Sequence, residues 1–228
     1  MHDAPHTECV LNSRPRIRMA PFTLIEFLVI IVILATLGHG REQTNRTACM
    51  SNLRKLHSLV SRFSSDNGGA LPVGYQLGQK QFNTTLYSAS VNQYVLIGKL
   101  LANGSVQNPR VFFCPSERDT TRAYNTKANP YPVRGGTNLQ GGHATNPLVD
   151  WGSADFPSNP IRLTNIGRVP LMADGVGMPK QVDSRHTDGI NVFFSDGSGC
   201  WVSREKFATD LSAGSSISAS NNAMMNRI

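Results

Sequence analysis

The chain has 228 residues, a net charge of +7 and 39% hydrophobic residues, enough for one domain of ordinary size plus an anchoring segment. Its basic residues are scattered and do not alternate with aromatic residues, which argues against a nucleic-acid-binding groove. Its four cysteines include no C-x-x-C spacing, which argues against a zinc knuckle or a redox site.

The N-terminal part combines a basic leader, residues 1–21, with an apolar run over residues 22–37. The single charged residue in that run is Glu26. A charge in the centre of a bilayer costs about 2.5–3.5 kcal/mol, so a carboxylate here indicates a function. A secretory signal peptide and a simple membrane anchor are the alternatives, and neither has a use for Glu26. The arginines of the leader predict a cytoplasmic N-terminus and an exported remainder.

A helical pattern resumes after the apolar run. Apolar residues recur at alternating spacings of four and three, which is typical of one buried face of a helix: Cys49, Leu53, Leu56, Val60 and Phe63. Together with the apolar run, this pattern predicts one long helix over residues 22–63. Its first half is expected to be transmembrane and its second half amphipathic.

Residues 64–211 are predicted to form an exported globular head of the α+β class, with a small antiparallel sheet packed on the N-terminal helix. The predicted elements are a helix over 90–102, strands over 111–114 and 169–173, a loop-rich insert over 118–160 and a β-hairpin over 190–203. Residues 212–228 are rich in serine, asparagine and alanine, which predicts a flexible tail.

Two signatures at opposite ends of the chain resemble a known family. Residues 22–26 (FTLIE), after a basic leader, are similar to the N-terminal cleavage and methylation motif of type IV pilins and pseudopilins. His186, followed by nine residues and then Asp196-Gly197, resembles the H-x9-DG signature of prepilin-like proteins that share this leader. Residues 49–54 (CMSNLR) and 113–116 (FCPS) resemble internal landmarks of the same proteins.

This resemblance implies a pilin-like fold and a structural, non-enzymatic subunit of a type II secretion or type IV pilus system. A prepilin peptidase would cleave before Phe22, whose new amino group would be methylated. Glu26 would then neutralise the amino group of a neighbouring subunit during assembly. The implied partners are the peptidase, other pilin or pseudopilin subunits and inner-membrane lipid, with no nucleic acid. The implied location is the inner membrane, with a single span, a cytoplasmic N-terminus and a periplasmic or extracellular head.

One residue departs from the family pattern at the cleavage site. Pro21 stands where the pattern has glycine, and its ring fixes φ and restricts the preceding Ala20. The sequence therefore leaves open whether the leader is cleaved or retained. If the leader is retained, we expect an unprocessed single-pass protein that displays an exported binding module.

Cysteine and acidic residues supply two further predictions. In an oxidising compartment Cys49 and Cys114 can form a disulfide, and two buried free thiols are the equally weighted alternative. Four oxygen-bearing residues cluster near the C-terminal signature and suit Ca²⁺, although without EF-hand spacing: Asp183, Asp188, Asn191 and Asp196.

The C-terminal signature also has a purely structural interpretation. Asp196-Gly197 is a suitable hairpin turn, and Ile190, Val192 and Phe194 would share one strand face. No G-x-S-x-G or H-E-x-x-H motif accompanies the histidines and serines, so no catalytic residues are predicted.

Overall fold

The computed structural model describes residues 23–72, 83–104, 106–134, 136–146, 162–176 and 179–213. The predictions for the leader, for Pro21 and Phe22 and for residues 214–228 lie outside the described residues. The chain divides into two compact units, Met1–His39 and Gly40–Ile228.

The predicted N-terminal helix is observed as α1, Leu24–Asp66. At its start, the backbone N–H and hydroxyl of Thr23 donate to Glu26 Oε2 at 2.8 and 3.0 Å, and the Glu26 N–H donates back to the Thr23 hydroxyl. This reciprocal arrangement is a capping box. At the other end Gly68 and Gly69 adopt positive φ values of 62° and 89°, which reverse the chain.

In the first unit, the apolar side chains that the structure describes are exposed. Every large apolar residue from Leu24 to Ile31 is between 43% and 78% exposed. Among the described residues, no helix is both long enough and apolar enough to cross a membrane.

The second unit is built on a six-stranded antiparallel sheet, which confirms the predicted α+β class. The strand order is β2-β1-β3-β4-β5-β6. The strands are β1 (Asn83–Ser88), β2 (Gln93–Tyr94), β3 (Leu139–Thr145), β4 (Pro170–Asp174), β5 (Gly189–Phe194) and β6 (Gly199–Ser203). Within the described residues, the other helices are α2 (Lys99–Ala102), α3 (Pro179–Asp183) and α4 (Ala208–Ala213), with 3₁₀ turns at Leu96–Gly98, Pro109–Phe112, Leu163–Asn165 and Arg204–Lys206.

Both faces of the sheet are covered. On one face, Leu53, Leu56 and Val60 of the predicted apolar stripe are at most 1% exposed and pack in one cluster with Met172 and Phe193, whereas Phe63 at the end of the stripe is only partly buried. The other face buries a second cluster: Ala144, Ala173, Val176, Val182, Ile190, Val192, Phe194, Val202, Phe207 and Leu211. β5 therefore has apolar residues on both faces, and the predicted hairpin of β5 and β6 is confirmed.

Two predicted elements are wrong. The predicted helix over 90–102 is interrupted, because Tyr94 pairs with Tyr87 in the sheet and Leu96 has a positive φ of 49°. The predicted strand over 111–114 begins instead as the 3₁₀ helix Pro109–Phe112, where the Asn108 side chain accepts the Arg110 N–H at 3.0 Å. A proline after an asparagine cap favours a helical turn over a strand.

The predicted loop-rich insert over 118–160 contains the central strand β3. Its glycines concealed it in the sequence, since glycine disfavours strands. Gly142 is required because a Cβ there would lie 2.2 Å from the backbone nitrogen of Cys114. The segment around Cys114 thus crosses directly over β3.

Candidate functional site

His186 lies at the centre of a buried group of ionisable side chains. Its Nδ1 is 2.6 Å from Glu42 Oε1, and its Nε2 is 3.3 Å from Cys114 Sγ and 3.7 Å from Asp174 Oδ2. The residue is 0% exposed. Glu42 belongs to α1 and Asp174 ends β4, so distant parts of the sequence meet at one imidazole.

Asp174 is the buried carboxylate of this group. Its Oδ1 lies 3.2 Å from His143 Nδ1, and its Oδ2 accepts the backbone N–H and the side-chain amide of Asn191 at 2.8 and 3.0 Å. Burial alone would raise the pKa of Asp174, but the contacts with His143, His186 and Asn191 outweigh burial and lower it. Asp174 therefore carries a negative charge inside the protein.

The two predicted partner cysteines meet at this site. Cys49, on α1, and Cys114, just after the 3₁₀ helix Pro109–Phe112, are 0% and 5% exposed. The Cys49 thiol donates to Cys114 Sγ at a distance of 2.7 Å. Both are free cysteines in this structure, as is the exposed Cys200. The predicted disulfide stays a prediction, and the fold supplies the proximity that it needs.

The surroundings make the two thiols unequal. Burial opposes ionisation of Cys114, but hydrogen bonds from Cys49 and His186 outweigh it and lower its pKa to about 6. In contrast, the pKa of Cys49 is raised by the hydrogen bond that its thiol donates to Cys114 and by burial. Burial also disfavours imidazolium at His186, yet contacts with Cys114, Asp174 and Glu42 raise its pKa to about 9. At neutral pH the structure therefore favours a Cys114 thiolate beside a His186 imidazolium.

A buried ion pair holds the two segments of the site together. Arg185 Nη2 lies 2.6 Å from Glu117 Oε2, with both side chains 1% exposed. Nearby, Arg118 donates its backbone N–H to the Ser184 carbonyl at 2.9 Å. These contacts connect the chain just after Cys114 to the chain just before His186.

Arg46 and Trp201 cover the outer side of the imidazole. The Arg46 guanidinium lies 3.3 Å from Glu42 and 2.7 Å from Asp188, and 4.2 Å above the Trp201 ring. The indole ring approaches His186 edge-on, with 5.8 Å between ring centroids. These contacts fix the carboxylate of Glu42, which in turn holds Nδ1 of the imidazole.

The donor atoms of Cys49, Cys114 and His186 lie within 4.8 Å of one another, which raises the question of a metal ion. In a tetrahedral zinc site with Zn–S bonds near 2.3 Å, the two sulfurs are about 3.8 Å apart. The observed 2.7 Å is much shorter. The arrangement therefore fits a bond between the sulfurs better than a shared metal ion.

The four residues predicted to bind Ca²⁺ have other partners. Asp188 and Asp196 flank β5 at its two ends, which places them a whole strand apart. Each of the four side chains is already engaged: Asp183 with Arg204, Asp188 with Arg46, Asn191 with Asp174, and Asp196 with Ser198 and Arg168. The structure does not bring the four together.

The remaining signature residues have distinct roles. Asp196 Oδ1 accepts the Ser198 N–H at 2.9 Å, and Gly197 has a φ of 85°, so both shape the turn between β5 and β6. His186 instead belongs to the buried group of ionisable side chains described above. The two halves of the H-x9-DG signature thus act at opposite ends of one strand.

Sequence reasoning missed Glu42, His143, Asp174 and the pair Glu117–Arg185. Glu42 had a usable signal, since it precedes Cys49 by seven residues and two helical turns place both on one face. Asp174 directly follows the predicted strand over 169–173 and was not singled out. Nothing in the sequence indicates that it would pair with histidines from other elements.

Chemically, Cys114, His186 and Glu42 form a series of thiol, base and orienting carboxylate. Such a series favours the thiolate, and the group nearest to that thiolate is another cysteine sulfur. Comparison of the chain with protein-family models, curated proteins and solved structures finds no match. What the protein does is therefore inferred from its own residues.

Proposed function

We propose that the protein is a pseudopilin-like or minor-pilin-like structural subunit of a type II secretion or type IV pilus type machine. The observation that carries the proposal is the contrast along α1. Its residues from Leu24 to Ile31 expose their apolar side chains, whereas Cys49, Leu53 and Leu56 are fully buried against the sheet. An exposed apolar surface of this kind requires a lipid or protein partner.

In this proposal the apolar part of α1 is held in the inner membrane and then packs against the same segment of neighbouring subunits. Contacts repeated from subunit to subunit in this way do not close, and they generate a helical filament. Glu26 compensates the charge of the neighbouring N-terminal amine, so two charges are buried as a pair.

The capping box gives Glu26 a second role, and variants separate the two. Glutamine satisfies a capping box but carries no charge, whereas Thr23→Ala removes the cap and keeps the charge. We expect Glu26→Gln and Glu26→Ala to abolish cross-linked multimers in membranes, and Thr23→Ala to retain them. If Glu26→Gln assembles normally and Thr23→Ala fails, Glu26 acts only as a cap.

Processing is tested in a cell that contains its native prepilin peptidase. The mass and N-terminal sequence of the membrane-purified protein should show a chain that starts at Phe22 with an added methyl group. Pro21→Gly is the matched control, since it restores the family pattern. A wild-type chain that retains its leader while the Pro21→Gly chain is cut would mean that the natural protein is an anchored module and not an assembled subunit.

A further inference from the structure

We propose that Cys49 and Cys114 form a reversible disulfide, with Cys114 as the exchanging thiol and His186, held by Glu42, as its positioning residue. The proposal does not depend on the proposed function, because it concerns only contacts within the second unit. It assigns His186, the first residue of the C-terminal signature, a chemical role in addition to a structural one.

Proximity is the first argument. The two sulfurs are 2.7 Å apart across the contact between α1 and the segment that follows the 3₁₀ helix Pro109–Phe112. Closure to a covalent bond requires only a small adjustment of the two side chains. The missing C-x-x-C spacing argued against a redox site in the sequence, yet the fold pairs cysteines that are 65 positions apart.

Access is the second argument, and it separates the two thiols. Cys114 lines a surface cleft of about 880 Å³, together with Ala48, Asn52 and Phe113. Cys49 does not line this cleft and is 0% exposed. An external disulfide therefore meets Cys114 first.

Electrostatics is the third argument. Exchange proceeds through the thiolate, and Cys114 is the thiol whose pKa is lowered, to about 6. The charged groups around the pair are His186, Glu42, Asp174 and Arg185. His186 is the cation that contacts the Cys114 sulfur directly, while the two carboxylates hold the imidazole in its charged form.

The reaction needs an external disulfide as oxidant. The Cys114 thiolate attacks one sulfur of that disulfide, and the other sulfur leaves as a thiolate that takes the proton of the His186 imidazolium. The neutral His186 then accepts the proton of the Cys49 thiol, and the Cys49 sulfur attacks Cys114 Sγ. The second external thiolate leaves and is protonated, so two protein thiols are oxidised to one disulfide while the oxidant becomes two thiols. A dithiol reductant reverses both steps.

The bridge is tested on the full chain purified in detergent, with Cys9→Ser and Cys200→Ser to remove the other thiols. Excess oxidised glutathione should lower the intact mass by two hydrogens, and peptide mapping should recover Cys49 joined to Cys114. Added Cys49→Ser and Cys114→Ser changes are the matched controls. Two thiols that remain alkylatable after denaturation, or a tightly held zinc ion that prevents oxidation, would overturn the proposal.

The positioning role has its own readout, measured in the Cys49→Ser background. The pH midpoint for alkylation of Cys114 should lie below about 8.5, the ordinary value for a free thiol, because the His186 contact remains, and it should move toward that value in His186→Asn. Glu42→Gln keeps the ring and should move the midpoint in the same direction, which covers the case in which His186→Asn does not fold. An unchanged midpoint in a folded variant would contradict the role of His186.

Discussion

At the scale of single residues, Asp174 stabilises the fold through its buried negative charge. Its carboxylate is buried with His143, His186 and Asn191, and the removal of one partner from a buried charged group typically costs about 3 kcal/mol or more. We expect Asp174→Asn to lower the free energy of unfolding by about 3 kcal/mol at pH 7, measured by urea denaturation. Asp183→Asn, which alters a half-exposed pair, should cost less than about 1 kcal/mol.

The pH dependence of that loss follows from the lowered pKa of Asp174. A carboxyl group with a lowered folded-state pKa stabilises the protein above its unfolded-state pKa, and this contribution is lost as pH falls through the folded-state pKa. The difference between wild type and Asp174→Asn should therefore shrink below about pH 4. A difference that is constant from pH 7 to pH 3 would show that shape and not charge explains the effect.

At the scale of secondary-structure elements, substitutions of two glycines should change stability in opposite directions. A Cβ at Gly142 in β3 would lie 2.2 Å from the Cys114 backbone nitrogen, so Gly142→Ala forces the backbone apart and should cost about 3 kcal/mol or more. Gly40 in α1 has no atom within 4 Å of an added Cβ, and Gly40→Ala should raise stability by about 0.5–1 kcal/mol. Thermal unfolding checks this, and the Tm should fall in Gly142→Ala and rise in Gly40→Ala. Equal shifts would mean that the crossing over β3 is not tight.

The elements also show how far the sequence could be interpreted. α1, β4 and the hairpin of β5 and β6 were predictable because their apolar residues follow a helical or strand pattern. The strand β3 was missed because contact with the Cys114 segment selects glycine, whatever the local propensity. Likewise, the sequence predicted that Cys49 and Cys114 can pair and marked His186 in a separate signature, but only tertiary contacts show that the three share one site.

At the scale of the whole molecule, self-association should depend on the first unit. Residues 40–228 include every residue of the buried cluster and both faces of the sheet, so a chain that begins at Gly40 should fold and remain monomeric. A chain that begins at Phe22 should associate through its exposed apolar residues, and Phe27→Ser should weaken that association. Sedimentation in mild detergent measures the self-association of the two chains and of the Phe27→Ser variant. A monomeric Phe22 chain would contradict the assembly role of α1.

The contact between Glu42 and His186 joins residues 144 positions apart, and this fixes the order in which the site can be completed during synthesis. The N-terminal part of a chain emerges first, so Cys49 waits for Cys114 and both wait for His186, which follows Cys114 by 72 positions. Until then Cys114 lacks the imidazolium that favours its thiolate. We therefore expect the pKa of Cys114 to fall only once His186 has joined the site, after Cys49 has already been synthesised.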